Sequence, residues 1–194
     1  MIGELPTCLT VGGKAFAIRS DFRVALNIIQ AMNDPDLSPQ EKCYVCLRCL
    51  YVSFESLPVE NLQEAAEKAY WFIGGGDMPR SETDVRTFDW EQDEGLIFPA
   101  VNKAAGYETR AVKYLHWWSF LGLFGEIGEG LFSQVSHIRR KMAKGEKLDK
   151  WEKRFVRENK ALVTLKTKLS DKERCAEDED EAFIDQLIGR QDRK

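Results

Sequence analysis

Leu115-His116-Trp117-Trp118-Ser119-Phe120-Leu121-Gly122-Leu123-Phe124-Gly125-Glu126-Ile127 is the stretch on which the fold of this 194-residue chain turns. Its apolar side chains fall on every side of a helical wheel, which predicts a helix buried on most sides. Such a helix needs other helices around it. Its longest uncharged apolar run, Tyr114–Gly125, falls short of the roughly 18 residues that a membrane span requires. The stretch is therefore expected at the centre of a soluble helical bundle.

On the N-terminal side, Asp89 is a good N-cap, with Glu91, Asp93 and Glu94 in the first turn, where a helix dipole favours anions. Pro99 should kink that helix and Gly106 should close it. Upstream, Gly74-Gly75-Gly76 is a breaker, followed by a polar loop over 77–87. A helix opening at Pro58 should turn Val59, Leu62, Ala66, Ala69, Tyr70 and Ile73 inward. Ser38 and Pro39 open another, with Cys43, Cys46, Leu47, Leu50 and Tyr51 on one stripe. Ser20 or Asp21 caps a third, striped by Phe22, Ala25, Leu26, Ile29 and Met32, which stops at Asp34-Pro35-Asp36. Ahead of it, residues 8–18 read as a β-hairpin about Gly12-Gly13, with Leu9 opposite Phe16 and Val11, Phe16 and Ile18 on one face.

On the C-terminal side, helix is expected from Leu131 to Lys144, with a break near Gly145 and a restart at Leu148. Leu148, Trp151, Phe155, Leu162, Leu165 and Leu169 follow alternating spacings of three and four, with Glu158 at the missing position. This is an a/d seam, flanked by Lys150, Lys153, Arg154, Arg157 and Lys160. Either the seam packs on the chain's own core, or a helix from another molecule docks there. The acidic run 177–181 precedes Phe183, Ile184, Leu187 and Ile188, which share one side of a helix-in-groove pattern; the alternative is a solubilising disordered end. The expected architecture is mainly α: a compact helical domain over 1–169 with an N-terminal β-hairpin, then a mobile acidic tail over 170–194.

The net charge of −4 conceals a pattern. Residues 139–168 carry twelve Lys and Arg against four Asp and Glu, between two acidic flanks. Such a segment could hold phosphates with steep salt dependence, which keeps nucleic-acid binding as the alternative function. The first partner it meets, however, is its own acidic chain. No charged n-region precedes an apolar h-region at the N-terminus, and five cysteines without a signal favour free thiols. A reducing cytoplasm is the expected compartment, with no membrane anchor.

Candidate chemistry is sparse. Cys43, Cys46 and Cys49 form a CxxCxxC string, but on an amphipathic helix three-residue steps drift around the axis, so core packing is preferred to metal ligation. His116 and His137 are the only histidines, and the one carboxylate upstream of His116 is Glu108, at some distance. No nucleophile-elbow, HExxH, Walker or dinucleotide pattern occurs. No catalytic, cofactor-binding or metal residues are assigned, and the chain is expected not to be an enzyme.

Several islands between residues 8 and 165 resemble one family. They are Val11-Gly12-Gly13-Lys14 with Phe16 and Ile18, Ser20-Asp21-Phe22-Arg23, Asp34-Pro35-Asp36-Leu37-Ser38, Phe88-Asp89-Trp90-Glu91-Gln92-Asp93 and, most specific, Leu115-His116-Trp117-Trp118-Ser119-Phe120. The family is that of the phage tail proteins called gene-product-fifteen, found in tailed phages and prophages of Gram-positive bacteria. The chain departs from the family's pattern at Tyr107-Glu108-Thr109 and in its longer acidic tail. The resemblance implies a tail-assembly chaperone that holds the tape-measure protein before tube polymerisation in the host cytoplasm. Tail-tube protein, a second tail chaperone and further copies of the chain are additional partners it implies. The residues expected to make contacts are Leu148, Trp151, Phe155, Leu162, Leu165, Phe183 and Leu187. Phe22, His116, Trp117, Trp118 and Phe120 are expected to form the family-motif core.

Overall fold

The computed structural model describes residues 3–76 and 85–166. Strands β1 (Cys8–Val11) and β2 (Lys14–Ala17) pair antiparallel with Leu9 opposite Phe16, the register expected from sequence. Gly12 and Gly13 sit at φ +54° and +76°, the positive values a two-residue primed turn demands. Gly12 is also a close approach: a Cβ there would lie 2.8 Å from Asn61 Oδ1. Leu9, Val11 and Ile18 are buried, with Phe16 half-buried against the same core. A lone hairpin is marginal in water. This one is pinned to the helices where Arg19 N–H donates to Leu50 O and Val52 N–H to Ala17 O.

Asp21 caps α1 (Phe22–Met32) by accepting from Arg23 N–H. Ser38 and Glu41 form a reciprocal capping box at the start of α2 (Pro39–Leu50), with Pro39 where its missing N–H costs nothing. Two short 3-10 turns then lead into α3 (Leu62–Ile73), which stops at the triple glycine. Two predicted stripes need correction. In α1 the fully buried line is Phe22, Ala25 and Ile28, with Leu26, Ile29 and Met32 on its flanks. In α3 it is Ala65, Ala66, Ala69, Phe72 and Ile73, while Val59 precedes the helix at 81% exposure and Tyr70 lies on the outer edge. An alanine-rich helix is legible as amphipathic, but its small side chains leave the stripe's rotation loosely specified.

α4 (Glu94–Ala105) begins later than expected. Asp89 accepts from Glu91 N–H and Gln92 N–H and so caps a preceding turn, and Asp93 stands at the helix N-cap. Pro99 lies inside α4, and Gly106 closes it at φ +77°. α5 (Trp117–Gly125) buries fewer sides than predicted: only Trp117 and Phe120 are fully enclosed, whereas Leu121, Leu123 and Phe124 are half-buried. Neighbours cover one flank, and Gly122 and Gly125 are exposed on the other. α6 (Leu131–Ala143) places Phe132, Val135, Ile138 and Arg139 inward. After Gly145 at φ +67° come α7 (Lys150–Glu158) and the single turn α8 (Lys160–Val163).

The expected a/d seam is therefore interrupted. Asn159 breaks the helix between Phe155 and Leu162, and Val163 rather than a seam residue is buried. The expected boundary at residue 169, the acidic tail with Phe183 and Leu187, and most of the polar loop lie outside the described residues. Among the described residues, no helix is long and apolar enough to cross a membrane.

Candidate partner-binding surface

The Ser20-Asp21-Phe22-Arg23 and Leu115-to-Phe120 segments meet as one structural unit. Phe22 N–H donates to Leu115 O, and Trp117 N–H donates to Ser20 O, so Asp21 and His116 pair as an antiparallel bridge. Asp21 accepts from Leu115 N–H at 3.1 Å and from the Arg23 guanidinium at 3.0 Å. Arg23 in turn donates to the carbonyls of Arg110 and Val112. His116 caps α5: its Nδ1 accepts from Trp118 N–H at 3.0 Å and its Nε2 donates to Pro6 O at 2.9 Å. Those two partners require the Nε2–H tautomer. The indole N–H groups of Trp117 and Trp118 donate to Ile73 O and Phe72 O, each at 2.9 Å. These carbonyls belong to the last turn of α3, where a helix leaves acceptors unpaired. Phe22 stacks on Phe120 with centroids 4.6 Å apart. The five expected motif-core residues are thus together. Glu108 is elsewhere, paired with Arg110, whose hydrogen bonds pull its carboxyl down to about 2.

A second unit was hidden within the basic segment. Arg139 is 5% exposed and uses all five guanidinium N–H groups. It forms a bidentate pair with Asp93 at 2.6 and 2.9 Å and donates to the carbonyls of Thr87, Leu162 and Val163. Gln92 adds a two-way clamp, donating to Thr164 O and accepting from Lys166 N–H. The Phe88-to-Asp93 segment is therefore the seat on which residues 162–166 are held.

The remaining surface is uneven. Trp151 is 52% exposed and stacks on Phe155, which is half-buried, as are Leu148, Leu162 and Leu165. The structure brings Trp151 and Phe155 together but assigns Leu162 and Leu165 to the clamped segment beyond the Asn159 break. Beside Trp151, a groove of about 550 Å³ is lined by Gly130, Ser133, Gln134, His137 and Ile138. It shares Glu129 and Gly130 with a second groove of about 630 Å³, lined by Leu96, Pro99, Ala100, Ile127, Leu131 and Phe132. The two adjoin at Glu129 and Gly130 in a trench with Trp151 on the wall of one and Pro99 of α4 on the wall of the other, and Lys103, Glu126 and Glu152 also line it. Leu131, 48% exposed, stands in its apolar half. Sequence periodicity did not place this half, because its walls are loop residues 126–130 and the outer side of α4.

Fewer cations are free than their number suggests. Arg139 is internal, Lys141 pairs with Glu152 at 2.7 Å, and Arg154 pairs with Glu158 at 2.8 Å. The Lys141 ammonium and the Asp149 N–H hold the Glu152 carboxyl below its ordinary value. Lys144, Lys147, Lys150 and Lys153 are exposed, and none of them lines either groove.

Cys46 points into the core, and burial, reinforced by Cys43 and Cys49, pushes its thiol up to about 12. The thiolate is the reactive and metal-binding form. Among the described residues, no group of three or more His, Cys, Asp or Glu side chains could hold a metal ion. Cys8, which is exposed, should react with iodoacetamide in the folded protein, and Cys46 only after unfolding, as read by peptide mass spectrometry. Equal labelling of the two would mean that α2 is not seated as described.

No curated protein and no solved structure matches the chain. The bacteriophage Gp15 protein family matches over residues 1–165, a span that contains the whole trench and, apart from Lys166, both motif units. The chain belongs to the bacteriophage Gp15 protein family.

Proposed function

We propose that this chain is a non-enzymatic tail-assembly chaperone that receives helical segments of the tape-measure protein in the host cytoplasm until tube subunits polymerise around it. The observation that carries this reading is the trench over α6, with Trp151 and Leu131 half-exposed inside it. An amphipathic helix is recognised by laying its apolar face into such a groove. A holding function also needs no catalytic group, which suits a chain whose two histidines are occupied as a helix cap and as a surface neighbour of Arg140. Tail-tube protein, a second tail chaperone and further copies of this chain are secondary partners of the same reading.

The test is co-expression with the long helical protein encoded immediately downstream. That protein should be soluble and co-purify with the native chain, and Trp151→Asp or Leu131→Asp should abolish the rescue. Both side chains are about half exposed, so the variants should themselves remain folded. Equal insolubility with and without the native chain would end the chaperone reading. Salt-sensitive DNA retention in its place would favour the nucleic-acid alternative.

A further inference from the structure

We propose that the trench is closed by a second copy of this chain in a two-fold dimer, with Trp151 of each copy seated in the groove of about 630 Å³ on the other. The chain carries both surfaces that this needs, and they are complementary. The groove is apolar along Leu96, Pro99, Ile127 and Leu131, and its rim is acidic. Glu126 and Glu129 are exposed there and form no ion pair among the described residues. Lys103 is the only Lys or Arg in either lining, and its ammonium is held on Glu129 O at 3.2 Å. The outer side of α7 has the opposite character. Lys150, Trp151, Lys153, Arg154 and Arg157 are all exposed on it, whereas Glu152 is buried. Of these cations Arg154 alone has an ion-pair partner among the described residues, Glu158. None of the four lines the chain's own grooves, which leaves Lys150, Lys153 and Arg157 free to face another molecule.

Symmetry decides how two such surfaces can meet. Trp151 and Glu129 line the same groove of about 550 Å³, and Glu129 also lines the apolar one, so the basic and acidic surfaces adjoin. Across a two-fold axis each copy receives what it presents, and adjoining complementary surfaces meet that condition twice. Lys150 and Lys153 of each copy would then face Glu126 and Glu129 of the other. Tryptophan is among the side chains that anchor interface centres, while charges at the rim set register and partner choice. Pairing would withdraw Trp151 and Leu131 from water while the trench holds no helix. A helical partner would then bind only the dissociated fraction of the protein, and its apparent affinity would fall in proportion to that fraction.

The experiment is sedimentation equilibrium of the full chain and of two double variants at exposed positions, Glu126→Lys with Glu129→Lys and Lys150→Glu with Lys153→Glu, their fold checked by circular dichroism. The native chain should dimerise, and each variant alone should do so at least about ten-fold more weakly, because like charges then meet on both sides of the axis. An equimolar mixture of the two variants should recover the native affinity, since opposite charges then face each other at both contacts. Trp151→Ala should weaken the native dimer without any change of charge. A native chain that stays monomeric up to about 100 μM would overturn the proposal. So would a mixture that gains nothing over its components, or a Trp151→Ala dimer as tight as the native one. No tape-measure protein enters this measurement, so its failure is distinct from failure of the chaperone reading.

Discussion

Arg139→Met should lower the free energy of unfolding by about 3–5 kcal/mol, the usual cost of removing one partner from a buried ion pair. The reason lies in what is left behind. Asp93 has 2% side-chain exposure, and its other partner among the described residues is the Asp89 N–H, so its carboxylate would remain dry and largely uncompensated. The carbonyls of Thr87, Leu162 and Val163 would lose their donors at the same time. Urea unfolding followed by tryptophan fluorescence gives the number. Arg139→Met combined with Asp93→Leu should recover much of the loss, because the stranded charge goes with its partner. A single-variant cost below about 1 kcal/mol would mean that Arg139 is solvated and that residues 162–166 are held by something else.

The contrast between Arg139 and its neighbours shows where sequence alone reaches its limit. The hairpin was legible because Gly12-Gly13 fixes both turn and register, and the α2 start because Ser38, Pro39 and Glu41 form a local code. Local signals of this kind need no tertiary partner. Arg139 carries no such signal: it sits among eleven other cations within 139–168, and only the packing of α6 against Asp93 makes it internal. The seam failed for a related reason. Its three-and-four spacing is real, but Asn159 ends α7, and the Arg139 and Gln92 contacts hold the single turn α8 and the residues after it against the start of α4. The trench was half legible. Trp151 stood out as a seam residue, whereas the Leu96–Pro99–Leu131 half is assembled from loop 126–130 and the outer side of α4, which no single periodicity reports.

Trp117 and Trp118 make the sharpest comparison within the motif core, because adjacent indoles donate to adjacent carbonyls from unequal burial. Trp117 is 1% exposed and packs on Trp90 and Phe120, so Trp117→Ala should cost about 3–5 kcal/mol in cavity and transfer terms. Trp118 is half-buried against Trp71, Phe72 and the Gly76 backbone, where a Cβ would come within 3.2 Å of its ring. Its removal should cost less, about 1–3 kcal/mol, and Phe72 O would keep the Gly75 N–H as a second donor. Trp117→Phe separates packing from capping. It retains most of the ring and deletes only the donor to Ile73 O, for which about 1–3 kcal/mol is expected. Chemical denaturation of the three variants, with near-ultraviolet circular dichroism as a check on packing, gives the order. If Trp117→Phe costs as much as Trp117→Ala, the indole N–H at the end of α3 dominates. If it is neutral, the ring fills space and Ile73 O finds water. Should Trp118→Ala prove the more damaging of the two alanine variants, the centre of the motif core would have to be moved from the α5–Phe22 stack to the end of α3.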